Sequence, residues 1–170
     1  MKVVILCGGR GTRLAEETKI IPKPLVKIGK YPILEHIINY YNKFEIYNFI
    51  IATGYKGKLI EKYFKSKSKI NKKNKIKIVN TGLNTLTGGR LLKLKKYLKN
   101  DRNFMLTYGD GLSNVNIKKS LNFHKRHKKI ATLTAVRPPV RFGDLSIKNN
   151  NVIDFREKIQ SNLGWINGGF

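Results

Sequence analysis

The segment Cys7-Gly8-Gly9-Arg10-Gly11-Thr12-Arg13-Leu14 follows directly on the apolar run Val3-Val4-Ile5-Leu6. Its glycines let backbone N–H groups approach an anion closely, and Arg10 and Arg13 stand at the same mouth, so it is suited to phosphate. Further on, Pro22-Lys23-Pro24 sets a lysine in a stiff turn, because each proline locks its own φ and restricts the residue before it. Together these features suggest a triphosphate site. A glycine-rich loop alone is equally a bare tight turn; the preceding strand and the following cations give this one its chemistry.

A carboxylate joins the set. Asp110, in Tyr108-Gly109-Asp110-Gly111, falls where a strand runs out, and ligands of open α/β sheets bind at the carboxyl ends of the strands. In isolation it reads equally as a turn aspartate. Beside a phosphate loop it reads as a magnesium ligand, since Mg²⁺ in nucleotide sites takes few carboxylates and completes its shell with phosphates and water. A second anion-friendly stretch, Thr81-Gly82-Leu83-Asn84-Thr85-Leu86-Thr87-Gly88-Gly89-Arg90, enters a helix. Its hydroxyls and free amides suit a base or ribose, while Thr87 also suits a helix cap.

These residues need elements to hold them. Strands are expected at Lys2–Leu6, Asn48–Thr53, Lys75–Val79, Asn103–Thr107 and Ile130–Val136. Between them apolar residues recur at helical spacing: Ile33, Ile37, Ile38 and Tyr41; Leu91, Leu94 and Leu98; Ile117, Leu121 and His124. The alternation predicts an α/β fold, a Rossmann-like, mostly parallel sheet flanked by helices. Gly143–Ile147 and Asn151–Phe155, joined by Asn149 and Asn150, read as a hairpin forming a partial antiparallel lid. His124 and His127 lack a further ligand at metal spacing and are read as helix-surface residues. The whole is read as one domain over residues 1–170, and the glycine-rich ending Asn167-Gly168-Gly169-Phe170 as a cut end.

With 170 residues and 41% hydrophobic content, the chain can bury an ordinary globular core. No apolar run approaches the roughly 20 residues of a membrane span, and the N-terminus lacks a signal peptide's pattern. A cytoplasmic protein without membrane partners is therefore expected. The single cysteine, Cys7, excludes an internal disulfide framework and reads as a small buried residue rather than a reactive thiol. The net charge of +25 attracts polyanions. The lysines, however, are spread along the chain, and the dense stretch from Lys65 to Lys77 carries Ser and Asn rather than stacking aromatics. Nucleic acid is not the expected partner.

The motifs at Cys7–Leu14, Pro22–Pro24, Thr81–Arg90, Tyr108–Gly111 and Ile166–Phe170 together resemble the sugar-1-phosphate nucleotidyltransferases along essentially the whole chain. The Thr87-Gly88-Gly89-Arg90 segment points to the cytidylyl branch. The resemblance implies the nucleotide-diphospho-sugar transferase type of fold. It also implies transfer of a cytidylyl group from CTP to glucose 1-phosphate for nucleotide-sugar and cell-surface polysaccharide synthesis, with UTP or dTTP as the alternative donors. Gly8, Gly9, Gly11, Thr12 and Arg13 would hold the triphosphate, with Arg13 against the departing pyrophosphate. Lys23 would sit between the sugar phosphate and the α-phosphate, Thr85, Gly88 and Arg90 would meet the nucleotide, and Asp110 would bind Mg²⁺. Gly143, Glu157, Lys158, Asn167 and Gly168 match positions that line the sugar-phosphate pocket. A homo-oligomer is implied for the full-length form.

Three departures stand out. The segment between Phe64 and Thr81 is short for the family. Phe155-Arg156-Glu157-Lys158-Ile159 lacks the family's proline after the lysine. Family members also run past residue 170, where a later segment supplies a second Mg²⁺-binding aspartate. The chain is thus expected to be a fragment of a longer enzyme or a truncated nucleotide-binding module with little catalysis.

Overall fold

The computed structural model describes residues 1–11, 20–66, 70, 72–138, 144–156 and 164–170. In chain order the elements are β1 (Lys2–Cys7), a 3-10 turn (Lys23–Leu25), β2 (Lys27–Ile28), β3 (Tyr31–Pro32), α1 (Ile33–Asn42), β4 (Asn48–Thr53) and α2 (Gly57–Ser66). They continue with β5 (Lys75–Asn80), α3 (Thr87–Leu98), β6 (Phe104–Tyr108), α4 (Ile117–His127), β7 (Ala135–Val136), β8 (Asp144–Lys148), β9 (Asn151–Arg156) and β10 (Ile166–Asn167). Chain contacts group them into two compact units, Met1–Lys129 with Phe170, and Ile130–Gly169.

In the first unit the continuous apolar runs of β1 and β4 are those of strands covered on both faces. Both lie inside a four-stranded parallel sheet of order β5-β4-β1-β6. On one face Val3, Ile5, Phe49 and Ile51 pack with Leu34, Ile37, Ile38 and Tyr41 of α1, and with Ile60 and Ile117. On the other, Val4, Ile50 and Ala52 meet Leu94 and Leu98 of α3. Each such side chain contributes roughly 1.5–3 kcal/mol by leaving water, which makes the sheet a rigid base for the loops at its carboxyl edge. The chain winds from β1 to β4 and β5, then returns to lay β6 on the other side of β1. The winding therefore reverses between β1 and β6, which is where open sheets of this kind form a ligand crevice.

Most expected elements are present within a residue or so. The stretch Ile130–Val136 is a correction: only Ala135–Val136 is a strand, and it pairs antiparallel with β10 instead of joining the parallel sheet. Ile130 is fully exposed, and the Thr134 carbonyl accepts from the Gly168 amide at 2.8 Å, so strand pairing with β10 is confined to the end of this run. Thr87 is a second correction, since Leu86 occupies the N-cap position of α3 without a side-chain cap. Thr87 already lies within the helix, past the position from which a hydroxyl caps.

The hairpin is present as β8 and β9. Asn149 and Asn150 take φ of 49° and 60°, the left-handed pair that a two-residue turn requires and asparagine tolerates. His124 and His127 are half-buried on α4, and a His124 ring nitrogen lies 3.3 Å from Asn103 Oδ1. Among the described residues no helix is long and apolar enough to cross a membrane.

Candidate active site

Three loops meet at the carboxyl edge of the first unit's sheet. The loop after β1 runs through Gly8 and Gly9, the loop after β6 carries Asp110, and the 3-10 turn presents Lys23. The turn is set by sequence: Pro22 and Pro24 are buried, and the Leu25 amide closes onto the Pro22 carbonyl at 2.8 Å. Lys23, held between the prolines, forms an ion pair with Asp110. Gly109 allows the approach. Its amide donates to the Leu6 carbonyl at 3.0 Å, and a β-carbon there would collide with Cys7 Sγ and press within 3.1 Å of Pro24 Cγ. The β1 loop, the β6 loop and the lysine turn thus close on one another at the point where the sheet's winding reverses.

Cys7 is 2% exposed. Burial pushes its thiol well above the usual range, and the Asp110 carboxylate adds to this. The residue is therefore a neutral packing group, as its place at a strand end suggested.

The loop after β5 joins from the other side. Arg10 donates to Asn84 Oδ1 at 3.3 Å, and Lys93 of α3 donates to the Thr81 carbonyl at 2.9 Å and to the Thr85 hydroxyl at 3.1 Å. Gly88 is exposed on the first turn of α3. Arg90 lies on the same helix, four residues past the Leu86 N-cap position. It is buried, and its guanidinium donates to the carbonyls of Gly8, Thr53 and Gly82 and to the Thr81 hydroxyl.

Thr12, Arg13, Gly143, Glu157 and Lys158 lie outside the described residues, and Asn167 and Gly168 belong to the second unit. Asn167 Oδ1 there accepts from the Gly169 amide at 2.9 Å. Sequence reasoning passed over Thr53-Gly54. The signal was available: Thr53-Gly54 ends β4 as Thr81-Gly82 follows β5, placing two threonine-glycine pairs on one edge.

Asp110 fits a magnesium ion of the nucleotide-site kind. It is exposed at the crevice, and its carboxylate already faces a cation, the Lys23 ammonium. Among the described residues no group of three or more His, Cys, Asp or Glu could hold a metal.

The profile of the family described as nucleotidyl transferase matches residues 2–164. The chain belongs to this family. Among its relatives, the glucose-1-phosphate cytidylyltransferase of Salmonella typhimurium is 44% identical over 189 aligned positions, covering 100% of this chain and 74% of the relative. A probable glucose-1-phosphate cytidylyltransferase of Bacillus subtilis is 40% identical, covering 100% of this chain and 73% of that protein. The crystal structure of HddC from Yersinia pseudotuberculosis complexed with GMP-PN superimposes with a TM-score of 0.68 at 27% identity, covering 98% of this chain and 73% of that one.

Proposed function

We propose that this nucleotidyltransferase transfers the cytidylyl group of CTP to α-D-glucose 1-phosphate, giving CDP-glucose and pyrophosphate. The observation that carries the reading is the Lys23–Asp110 pair beside the Gly8–Gly9 loop. The cytidylyltransferase names of the relatives from Salmonella typhimurium and Bacillus subtilis supply the base and the sugar.

A phosphate oxygen of the sugar phosphate attacks the α-phosphorus of CTP, and the bond from that phosphorus to the bridging oxygen of pyrophosphate breaks. The nucleophile is already an anion, so no strong general base is needed. The obstacle is repulsion between anions, which positioned cations and backbone dipoles overcome. Lys23 holds the incoming sugar phosphate against the α-phosphate. Arg13 takes up charge on the departing pyrophosphate, and the amides of Gly8, Gly9 and Gly11 hold the triphosphate. Asp110 would hold a magnesium ion, which would supply charge neutralisation on the phosphates.

Incubation of the chain with CTP, glucose 1-phosphate and Mg²⁺, followed by phosphorus NMR, tests the reading. A CDP-glucose diphosphate pair should grow as CTP is consumed, and free CMP in its place would contradict transfer to a sugar.

A further inference from the structure

Arg90 is 6% exposed, and a buried cation needs compensation. Among the described residues its hydrogen bonds go to carbonyls and a hydroxyl and not to a carboxylate. Nη1 donates to the Thr53 carbonyl at 3.1 Å, the Thr81 hydroxyl at 2.6 Å and the Gly82 carbonyl at 2.8 Å, while Nη2 donates to the Gly8 carbonyl at 2.9 Å. Those acceptors sit at the carboxyl ends of β1, β4 and β5. A planar fork of donors can bridge such separated oxygens, which a lysine ammonium cannot do equally.

The surrounding glycines match this arrangement. A β-carbon on Gly8 would collide with the Arg90 guanidinium, and one on Gly54 would lie 2.8 Å from Arg90 Nη1 and 2.8 Å from the Gly8 carbonyl oxygen. The Tyr55 amide also reaches the Gly8 carbonyl, at 3.3 Å. A trans peptide is planar, with its C=O and N–H pointing in opposite directions. Pinning the Gly8 carbonyl inward therefore aims the Gly9 N–H outward, on the side from which an anion approaches the loop.

We propose that Arg90 is a positioning residue that ties the Gly8 carbonyl to the ends of β4 and β5 and so holds the Gly9 amide toward the phosphate chain of the nucleotide. The proposal rests on the nucleotidyltransferase reading of the loop. It assigns Arg90 an action on phosphate affinity that does not depend on the base.

The test is titration calorimetry of the 170-residue chain with CTP and with inorganic tripolyphosphate, which carries no base. Arg90→Lys keeps the charge but not the bridge, and should weaken both ligands by the same factor, about tenfold or more. Thr81→Ala removes a single acceptor of the guanidinium, and should weaken both equally by a smaller factor. It keeps the test open if Arg90→Lys does not fold. Methylguanidinium added to Arg90→Gly should restore tripolyphosphate affinity in part. Unchanged tripolyphosphate affinity in the variants, with loss confined to CTP, would overturn the proposal in favour of a base contact. Wild-type protein binding neither ligand would instead overturn the phosphate-loop reading itself.

Discussion

Lys23 is held by buried prolines and paired to Asp110, so its ammonium is placed before any substrate arrives. Replacing it with alanine removes a surface-accessible charge, and exposed or half-exposed pairs contribute only about 0–1 kcal/mol to folding. Lys23→Ala should therefore keep its urea midpoint nearly unchanged while kcat falls about a hundredfold or more; near-native turnover would contradict its role. Cys7 makes an opposite prediction. Burial raises its pKa, so above about pH 8.5 the unfolded chain sheds a proton that the folded chain retains, and stability falls as pH rises. The drop in stability between pH 8 and pH 10 should be smaller in Cys7→Ala than in wild type. Folded wild-type protein should also resist thiol reagents at pH 8. At this scale much was legible: Gly8, Lys23 and Asp110 could be singled out because their neighbours in sequence, glycines and prolines, dictate local backbone. The setting of Arg90 was not legible. Its partners come from the carboxyl ends of three strands, and only the folded sheet brings those oxygens to one point.

Elements whose signals are local came through the sequence well, and their ends can be tested. Asn116 caps α4 by accepting from the Lys119 amide at 3.0 Å, so Asn116→Ala should cost about 1 kcal/mol in a denaturation experiment. At the other end Lys128 takes a left-handed φ of 57°, where Lys128→Gly should be neutral or stabilising by up to about 1 kcal/mol. The hairpin turn was readable for the same reason, since asparagine pairs tolerate positive φ. The segment Ile130–Val136 shows where such reading stops. Its residues favour strands, but β structure forms only where a partner supplies hydrogen bonds, and here the pairing reaches only Ala135 and Val136. Likewise Thr87 has a good capping side chain but starts the helix from inside it.

For the whole molecule, the parallel sheet and the charge bear on the same crevice. The order β5-β4-β1-β6 places the glycine loop and Asp110 on neighbouring strands, although they are far apart in sequence. The alternation of strands and helices foretold such a sheet, but only the topology identifies β1 and β6 as neighbours. The net charge of +25 favours anionic substrates by long-range attraction, which salt screens. Any retention of the chain on DNA should fall steeply as salt rises, whereas nucleotide turnover, fixed by short-range contacts, should decline far less. The most direct test of the central claim is pyrophosphate release by this chain with glucose 1-phosphate and Mg²⁺, comparing CTP, UTP, dTTP and ATP side by side. The account predicts release with clear preference for CTP. Preference for another nucleotide would contradict the cytidylyl assignment, and no release with any of them would contradict catalysis by this chain.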